Sequence, residues 1–301
     1  MEYSKLEKLI NEIRDDVEHG ASELAVKAVD VLIAAARLYG HADNNAFRSD
    51  INEFADRLKM VRPSMAPLRN AVDRILKSSL EGVDDVEKVR DRIIENGENL
   101  IRNIRNAGGK ISVFAAGLIS PNDIILLYSC SSTVIKSLNG IGADYKLSVV
   151  VPRSGTALSG FRVIKELDKE KFKIIYIDDT ALGLFAGEAD KLITGADKVC
   201  SDGTLINAAG TCLAAMAARA AGIPFYVLCD SLKCDASITG DQAELEEKGA
   251  SGMGIPPELS KGIGIRNPYF DRTPADFITA YITEDGVIDR KDIADYIRRL
   301  P

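Results

Sequence analysis

The stretch Ile124-Ile125-Leu126-Leu127-Tyr128-Ser129-Cys130-Ser131-Ser132-Thr133 decides the fold. Its first five residues are apolar or aromatic, too few for a buried helix, and a small polar turn bounds them. That pattern reads as a strand buried on both faces. The run Ser129 to Thr133 reads as a turn into a helix that begins near Thr133.

The same unit recurs along the chain. Leu147 to Val151 leads into Pro152-Arg153-Ser154-Gly155-Thr156, and Lys173 to Ile177 into Asp178-Asp179-Thr180. Leu192 to Thr194 leads into Gly195-Ala196-Asp197, and Phe225 to Leu228 into Asp230-Ser231. Starts about 20 to 30 residues apart leave room for a crossover helix between strands, so the sheet is expected to be parallel. Residues 108–301 are therefore read as a Rossmann-like parallel-sheet α/β domain. Phe277 to Ile282 is expected as a further strand and Arg290 to Leu300 as a last helix. Residues 236–266, rich in Gly, Ser, Glu and Pro, are expected to form an exposed excursion.

Upstream the period changes to that of helices, and residues 1–107 read as an N-terminal helical domain. Leu6, Ile10, Ile13 and Val17 recur at helical spacing, and Ala25 to Leu38 is an Ala-rich helix suited to burial. Ile51 to Val61 and Leu68 to Leu80 continue the pattern, with Pro63 and Pro67 as breaks between them. Val86 to Ile104 reads as a long helix that Gly108-Gly109 ends.

Composition narrows the function classes. With 301 residues, 46% of them hydrophobic and 28% charged, the chain can bury a substantial core. A net charge of -7 argues against direct nucleic-acid binding, which favours a basic face. No run approaches the roughly 18 to 20 apolar residues of a membrane span, and Met1-Glu2-Tyr3-Ser4-Lys5 does not open a signal peptide. The expected location is the cytoplasm. The five cysteines form no Cys-x-x-Cys pair, and the two histidines, His19 and His41, lie far upstream, so no metal site is expected. Cys200, Cys212, Cys229 and Cys234 read as structural thiols.

Open parallel sheets bind ligands beyond the carboxyl ends of their strands, and here five polar clusters would converge on that rim. Cys130 would sit at a helix N-terminus, where backbone N–H groups favour the thiolate, or else is a buried strand-end cysteine. Ser131 and Ser132 leave room for an anion at the same helix end. Asp197 either caps a turn or serves as a general acid or base; for Asp178 and Asp179 turn and cap roles are favoured. With no histidine in the second half, a Ser-His-Asp or Cys-His device cannot be built from this domain. No Gly-x-Gly-x-x-Gly follows a strand, so no dinucleotide and no other cofactor is expected. Proton transfer between a thiol and a carboxylate remains, the kind of chemistry that aldose–ketose isomerisation needs.

Several segments resemble the superfamily of ribose-1,5-bisphosphate isomerase, methylthioribose-1-phosphate isomerase and the regulatory subunits of translation initiation factor 2B. Arg62-Pro63-Ser64-Met65-Ala66-Pro67-Leu68-Arg69-Asn70-Ala71 resembles its Arg-Pro-Thr-x-x-x-Leu-x-Asn-Ala segment. Ile124 to Val134 is similar to its strand-Cys-x-Ser motif, and Gly195-Ala196-Asp197 to its Gly-Ala-Asp. Asn207-Ala208-Ala209-Gly210-Thr211 resembles its Asn-Lys-x-Gly-Thr, and Asn267-Pro268-Tyr269-Phe270-Asp271-Arg272-Thr273-Pro274 its Asn-Pro-x-Phe-Asp-x-Thr-Pro.

The resemblance implies an isomerase of a phosphorylated pentose, with Cys130 and Asp197 catalytic. Arg62, Ser131, Ser132, Arg153, Asn207 and Lys233 are its implied substrate-binding positions. It equally admits a non-catalytic regulatory subunit that binds a nucleotide or sugar phosphate, or a drifted paralogue with another ligand. It implies a homodimer or larger homo-oligomer, and in the regulatory reading contact with a translation initiation factor. Three family cations are replaced: His19 stands for Arg, Gly155 for Arg and Ala208 for Lys. Their loss weakens the hold on a bisphosphate.

Overall fold

The computed structural model describes residues 2–16, 19–40, 43–62, 65–155, 158–250, 253–256, 258–260 and 262–300. The expectations placed on Val17, His41, Pro63, Ser64 and Thr156 lie outside the described residues. The chain divides into two compact units, Met1–Ala107 and Gly108–Leu300.

The first unit is helical: α1 (Glu2–Asp15), α2 (Ala21–Leu38), α3 (Asn44–Lys59), α4 (Ala66–Leu80) and the first part of α5 (Val86–Ala116). The Ala-rich α2 buries Leu24, Ala25, Ala28, Val29, Leu32, Ala35 and Ala36, the apolar stripe its period predicts. Asp43 starts α3 by accepting the N–H groups of Asn45 and Ala46, a cap worth about 1 kcal/mol.

One expectation fails here. Gly108-Gly109 do not end α5, which continues to Ala116. Beyond the glycines Ile111 and Ala115 are buried in the core of the second unit. Burial of that apolar face outweighs the roughly 1 kcal/mol that each helical glycine forfeits relative to alanine.

The second unit begins with β1 (Ile124–Leu127), α6 (Ser132–Asn139), β2 (Ser148–Pro152), α7 (Ser159–Glu166), β3 (Lys173–Ile177), α8 (Leu182–Ala186) and β4 (Lys191–Thr194). It continues through β5 (Lys198–Cys200), β6 (Leu205–Ala208), α9 (Thr211–Ala221), β7 (Phe225–Leu228) and β8 (Cys234–Asp235). It closes with β9 (Phe270–Thr273), β10 (Ala280–Thr283), β11 (Gly286–Asp289) and α10 (Ile293–Arg298).

The large sheet runs β11-β10-β7-β4-β1-β2-β3. Its strands are parallel except for β11, which pairs antiparallel with β10. Taken in chain order these strands lie 3-2-1-4-5-6-7, so the order reverses between β1 and β4, the topological switch point of a doubly wound sheet. Alternation along β1 explains its unbroken apolar run. Ile125 and Leu127 join a core with Val134, Ile135 and Leu138 of α6 and Val163 of α7. Leu126 and Tyr128 join the opposite core with Leu182 of α8, Ala214 and Ala218 of α9 and Ile297 of α10. Both faces are covered.

A second sheet, ordered β8-β5-β6-β9, was not anticipated. It carries Asn207 at the end of β6 and Asp271 on β9, paired with each other in register. The described part of residues 236–266 is largely exposed, as expected, with Gly240 and Ala243 buried. Arg272 fastens those two by donating to the carbonyl oxygens of both.

Candidate functional site

Cys130 and Asp197 are each the third residue beyond a strand, β1 and β4, and these strands are neighbours across the switch point. The backbone that carries Cys130 is tightly fixed. Ser129 before it is left-handed, at φ 61°, and its N–H donates to Ser154 Oγ beyond β2 at 3.2 Å. Ser129 Oγ lies 3.2 Å from Thr194 Oγ1 at the end of β4, and that hydroxyl donates to the Tyr128 carbonyl at 2.8 Å.

Asn207 ties this knot together. It is 4% exposed, and its Nδ2, with two hydrogens to donate, lies within 3.1 Å of the hydroxyls of Ser129, Thr194 and Thr211. The resemblance gives Asn207 as a ligand contact; its amide nitrogen is engaged in positioning the turn before Cys130.

Ser131 caps α6, its Oγ accepting the Val134 N–H at 3.5 Å. It also packs against Gly195, where an added Cβ would lie 2.4 Å from Ser131 Oγ. The loop bearing Asp197 therefore approaches the loop bearing Cys130 more closely than any side chain at residue 195 allows. The N–H groups of Ser132 and Thr133 meet no acceptor among the described residues, which leaves the start of α6 electropositive. Cys130 and Asp197 are both half-buried, and Asp197 is anchored by its N–H to the Ile206 carbonyl at 3.1 Å.

The other side of the rim is arranged differently. Ser154 and Gly155 are consecutive left-handed residues, at φ 63° and 62°, and their N–H groups converge. Asp179 fills that concavity, its Oδ1 and Oδ2 accepting from Ser154 and Gly155 at 2.8 and 2.7 Å. At the start of α9, Asp271 Oδ2 accepts the N–H groups of Gly210 and Cys212 at 2.7 and 3.1 Å. Burial pushes the Asp271 carboxyl up to about 6 against the pull of those two donors. Between the two carboxylates lies Tyr128, whose hydroxyl donates to the Ala209 carbonyl at 2.9 Å. Burial, then the negative charges of Asp179 and Asp271, push its phenol well above the usual range.

The remaining sequence candidates lie on other elements. Arg153 is exposed and lies near Asp178; the Thr180 N–H and hydroxyl, and to a smaller degree Arg153, hold that carboxyl low. Lys233 is buried on the short turn after β7. Arg62 belongs to the N-terminal unit and donates to the carbonyl oxygens of Arg14 and Asp16 at 3.3 and 2.8 Å. In that unit His19 lies 2.8 Å from Asp16 Oδ2. Tyr128 and Asp271 escaped the sequence reading as site residues, although Asp271 stands inside the quoted Asn267 to Pro274 motif. No group of three or more His, Cys, Asp or Glu side chains among the described residues could hold a metal ion.

With this geometry in place, the relatives are informative. A putative translation initiation factor eIF-2B subunit 2-like protein of Pyrococcus furiosus is 32% identical over 94% of this chain and 96% of its own. The ribose 1,5-bisphosphate isomerase of Methanocaldococcus jannaschii is 31% identical over 89% of this chain and 86% of its own. The crystal structure of the Pyrococcus horikoshii OT3 translation initiation factor eIF-2B superposes with a TM-score of 0.82 at 27% identity, covering 95% of this chain and 97% of that one. The profile of the Initiation factor 2 subunit family matches residues 17–290, and the chain belongs to that family.

Proposed function

We propose that this chain isomerises a phosphorylated pentose between its aldose and ketose forms, acting in the cytoplasm. The observation that carries the reading is the placement of a thiol and a carboxylate on adjoining loops at the sheet's switch point, held together by the Ser131–Gly195 contact. Asp197, protonated, gives its proton to the ring oxygen as the bond from that oxygen to C1 breaks. Cys130, as thiolate, takes the C2 proton, and the C–H electron pair becomes the C1–C2 double bond of an enol whose C1 oxygen keeps any phosphate it carries. The C2 hydroxyl then returns a proton to Asp197 as the C2 carbonyl forms, and Cys130 returns its proton to C1. No electrons are exchanged with another reactant, so no cofactor is required. The N–H groups of Ser132 and Thr133, which meet no acceptor among the described residues, receive the phosphate, as helix N-termini do.

The isomerase relative at 31% identity supports this reading. Turnover of ribose 1-phosphate, ribose 5-phosphate and ribose 1,5-bisphosphate, followed by NMR, tests it. Conversion of one of them that Cys130→Ser and Asp197→Asn each reduce by at least roughly 100-fold is expected, the size of a lost acid–base group. A Cys130→Ser protein of undiminished turnover removes the thiol from the mechanism.

The relatives named for initiation factors favour a second reading, a non-catalytic subunit that binds a sugar phosphate or nucleotide and contacts a translation initiation factor. Binding without conversion, together with retention of an initiation factor on the immobilised protein, decides for it. Both readings include a homo-oligomer. Leu213 and Met216 on α9, each 52% exposed, supply an apolar face suited to a second copy.

A further inference from the structure

β3 ends the large sheet, and its outer side is open. The Lys173 N–H donates to the Leu147 carbonyl and the Ile177 carbonyl accepts from the Arg153 N–H, at 3.1 and 3.0 Å. Lys173, Ile175 and Ile177 therefore turn their main-chain groups toward β2. The alternation of the ladder turns the N–H and C=O groups of Ile174 and Tyr176 outward, where no described strand pairs with them.

Natural sheet edges are commonly blunted by charge or covered. Here the middle of the strand is Ile174-Ile175-Tyr176, and Tyr176 is 42% exposed. Its ring stacks on that of Phe161 of α7, itself 55% exposed, with centroids 5.4 Å apart and planes 19° apart. Ile164, Lys169, Phe172, Ile174 and Tyr176 line a groove of about 420 Å³ on that face. An exposed apolar patch beside open main-chain groups suits the addition of a strand.

The charges select the occupant. Lys169, before the strand, is exposed and forms no ion pair with a described residue. Asp178, just after it, is exposed, and only its Oδ1 accepts hydrogen bonds, from the Thr180 N–H and hydroxyl. One end of the edge is positive, the other negative and the middle apolar, a pattern complementary to its own reverse. With a two-fold axis at Ile175, Ile174 faces Tyr176 of a second copy, and each such pair exchanges two main-chain hydrogen bonds. Phe172 then faces Asp178 of the second copy, which brings that carboxylate to the Lys169 side of the groove. No like charges stand directly opposite across the seam.

We propose that two copies of this chain pair β3 against β3, antiparallel about Ile175, to form one sheet with seven strands from each copy. The interface is isologous and closes on itself. It is separate from the apolar face of α9 and does not depend on the chemistry at the switch point.

Sedimentation equilibrium of the full chain at neutral pH, over a concentration series, tests the proposal. Lys169→Glu sets an acid against Asp178 at both ends of the seam, and Asp178→Lys sets lysine against lysine. Each is expected to weaken this association at least roughly tenfold, so that the assembled mass halves. An equimolar mixture of the two variants re-forms attractive pairs at both ends and is expected to regain the full mass. Tyr176→Asp, which leaves Asp178 and its turn intact, is expected to halve the mass as well, and urea unfolding checks that each variant is folded. If Asp178→Lys does not fold, the other two variants decide alone. An unaltered chain that stays monomeric, or a mass that neither Lys169→Glu nor Tyr176→Asp lowers, overturns the proposal. Halved masses that mixing does not restore overturn the register about Ile175.

Discussion

Tyr128 reaches over Gly210 to donate its hydroxyl to the Ala209 carbonyl at 2.9 Å, so closely that a Cβ on Gly210 would lie 1.8 Å from the phenol oxygen. Gly210 also stands at φ 101°, in the region that favours glycine, at the entrance to α9. The last residue of the fold-deciding strand run and the residue before α9 therefore define one contact that only glycine permits.

Gly210→Ala must strain the backbone and displace the ring together. A loss of roughly 2 to 4 kcal/mol is expected in urea unfolding, the sum of a left-handed penalty and an overpacking penalty. Tyr128→Phe removes one hydrogen bond and no volume, so about 1 kcal/mol is expected. Combining the two should cost less than their sum, because removing the phenol oxygen gives the new methyl group space. Strict additivity in the double variant would show that the contact does not exist in solution.

Gly195 and Ser131 give a second coupled pair. A methyl group at residue 195 would meet both Oγ and Cβ of Ser131, at 2.4 and 2.5 Å, so the N-cap of α6 must move. Gly195→Ala is expected to destabilise by roughly 1 to 3 kcal/mol and to lower ligand affinity, since the shifted turn carries the Ser132 and Thr133 donors. Ser131→Gly in the same chain should recover part of both losses, because glycine clears the space and still serves as an N-cap. Unfolding curves and calorimetry on the four proteins of the cycle measure the coupling.

A third relationship, buried in the small sheet, was beyond sequence reading. Lys198 and Asp235, whose side chains are 4% and 1% exposed, lie 3.6 Å apart across the parallel pair β5 and β8. Replacing one partner leaves a buried charge, so Lys198→Met is expected to cost about 3 to 5 kcal/mol. The double variant Lys198→Met, Asp235→Leu should cost much less, since no lone charge remains. A double variant as unstable as Lys198→Met would place the loss in packing rather than in charge.

The large sheet was legible because its signal is local. Strands at 173–177 and 225–228 lie where their apolar runs put them, and β1, β2 and β4 agree within one residue at each end. The small sheet was not legible because its pairings are distant and its strands are two to four residues long. β5 is Lys198-Val199-Cys200, and nothing nearby explains a buried lysine; its counter-ion comes 37 residues later. Within the site, Cys130 and Asp197 could be placed from strand ends alone. Asn207 could be picked out but not understood, because the hydroxyls of Ser129 and Thr194 reach it only after β1, β4 and β6 assemble. Asp271 caps a helix 60 residues before it, a role that no helix-start signal in the sequence carries.

Asp271 also sets the expected pH response. Its carboxyl titrates near 6 in the folded chain against an ordinary value of 3.8, with burial as the cause. Between those values the native state keeps the proton that the unfolded chain has released, so raising the pH favours unfolding. The contribution of this group is fully present below about 3.8 and is lost as pH rises through 6, about 3 kcal/mol at most for a two-unit shift. Carboxyls held low, such as Asp178 and Asp202, act in the opposite direction, so total stability alone is not diagnostic. The difference between the unaltered chain and Asp271→Asn isolates the group. Asparagine keeps an oxygen for the Gly210 N–H and does not titrate, so the variant is expected to gain relative stability steadily from pH 4 to pH 6.5. Parallel stability curves for the two proteins over that range would mean that Asp271 is solvated and titrates as an ordinary carboxylate, and would remove the buried setting it is assigned beside Tyr128.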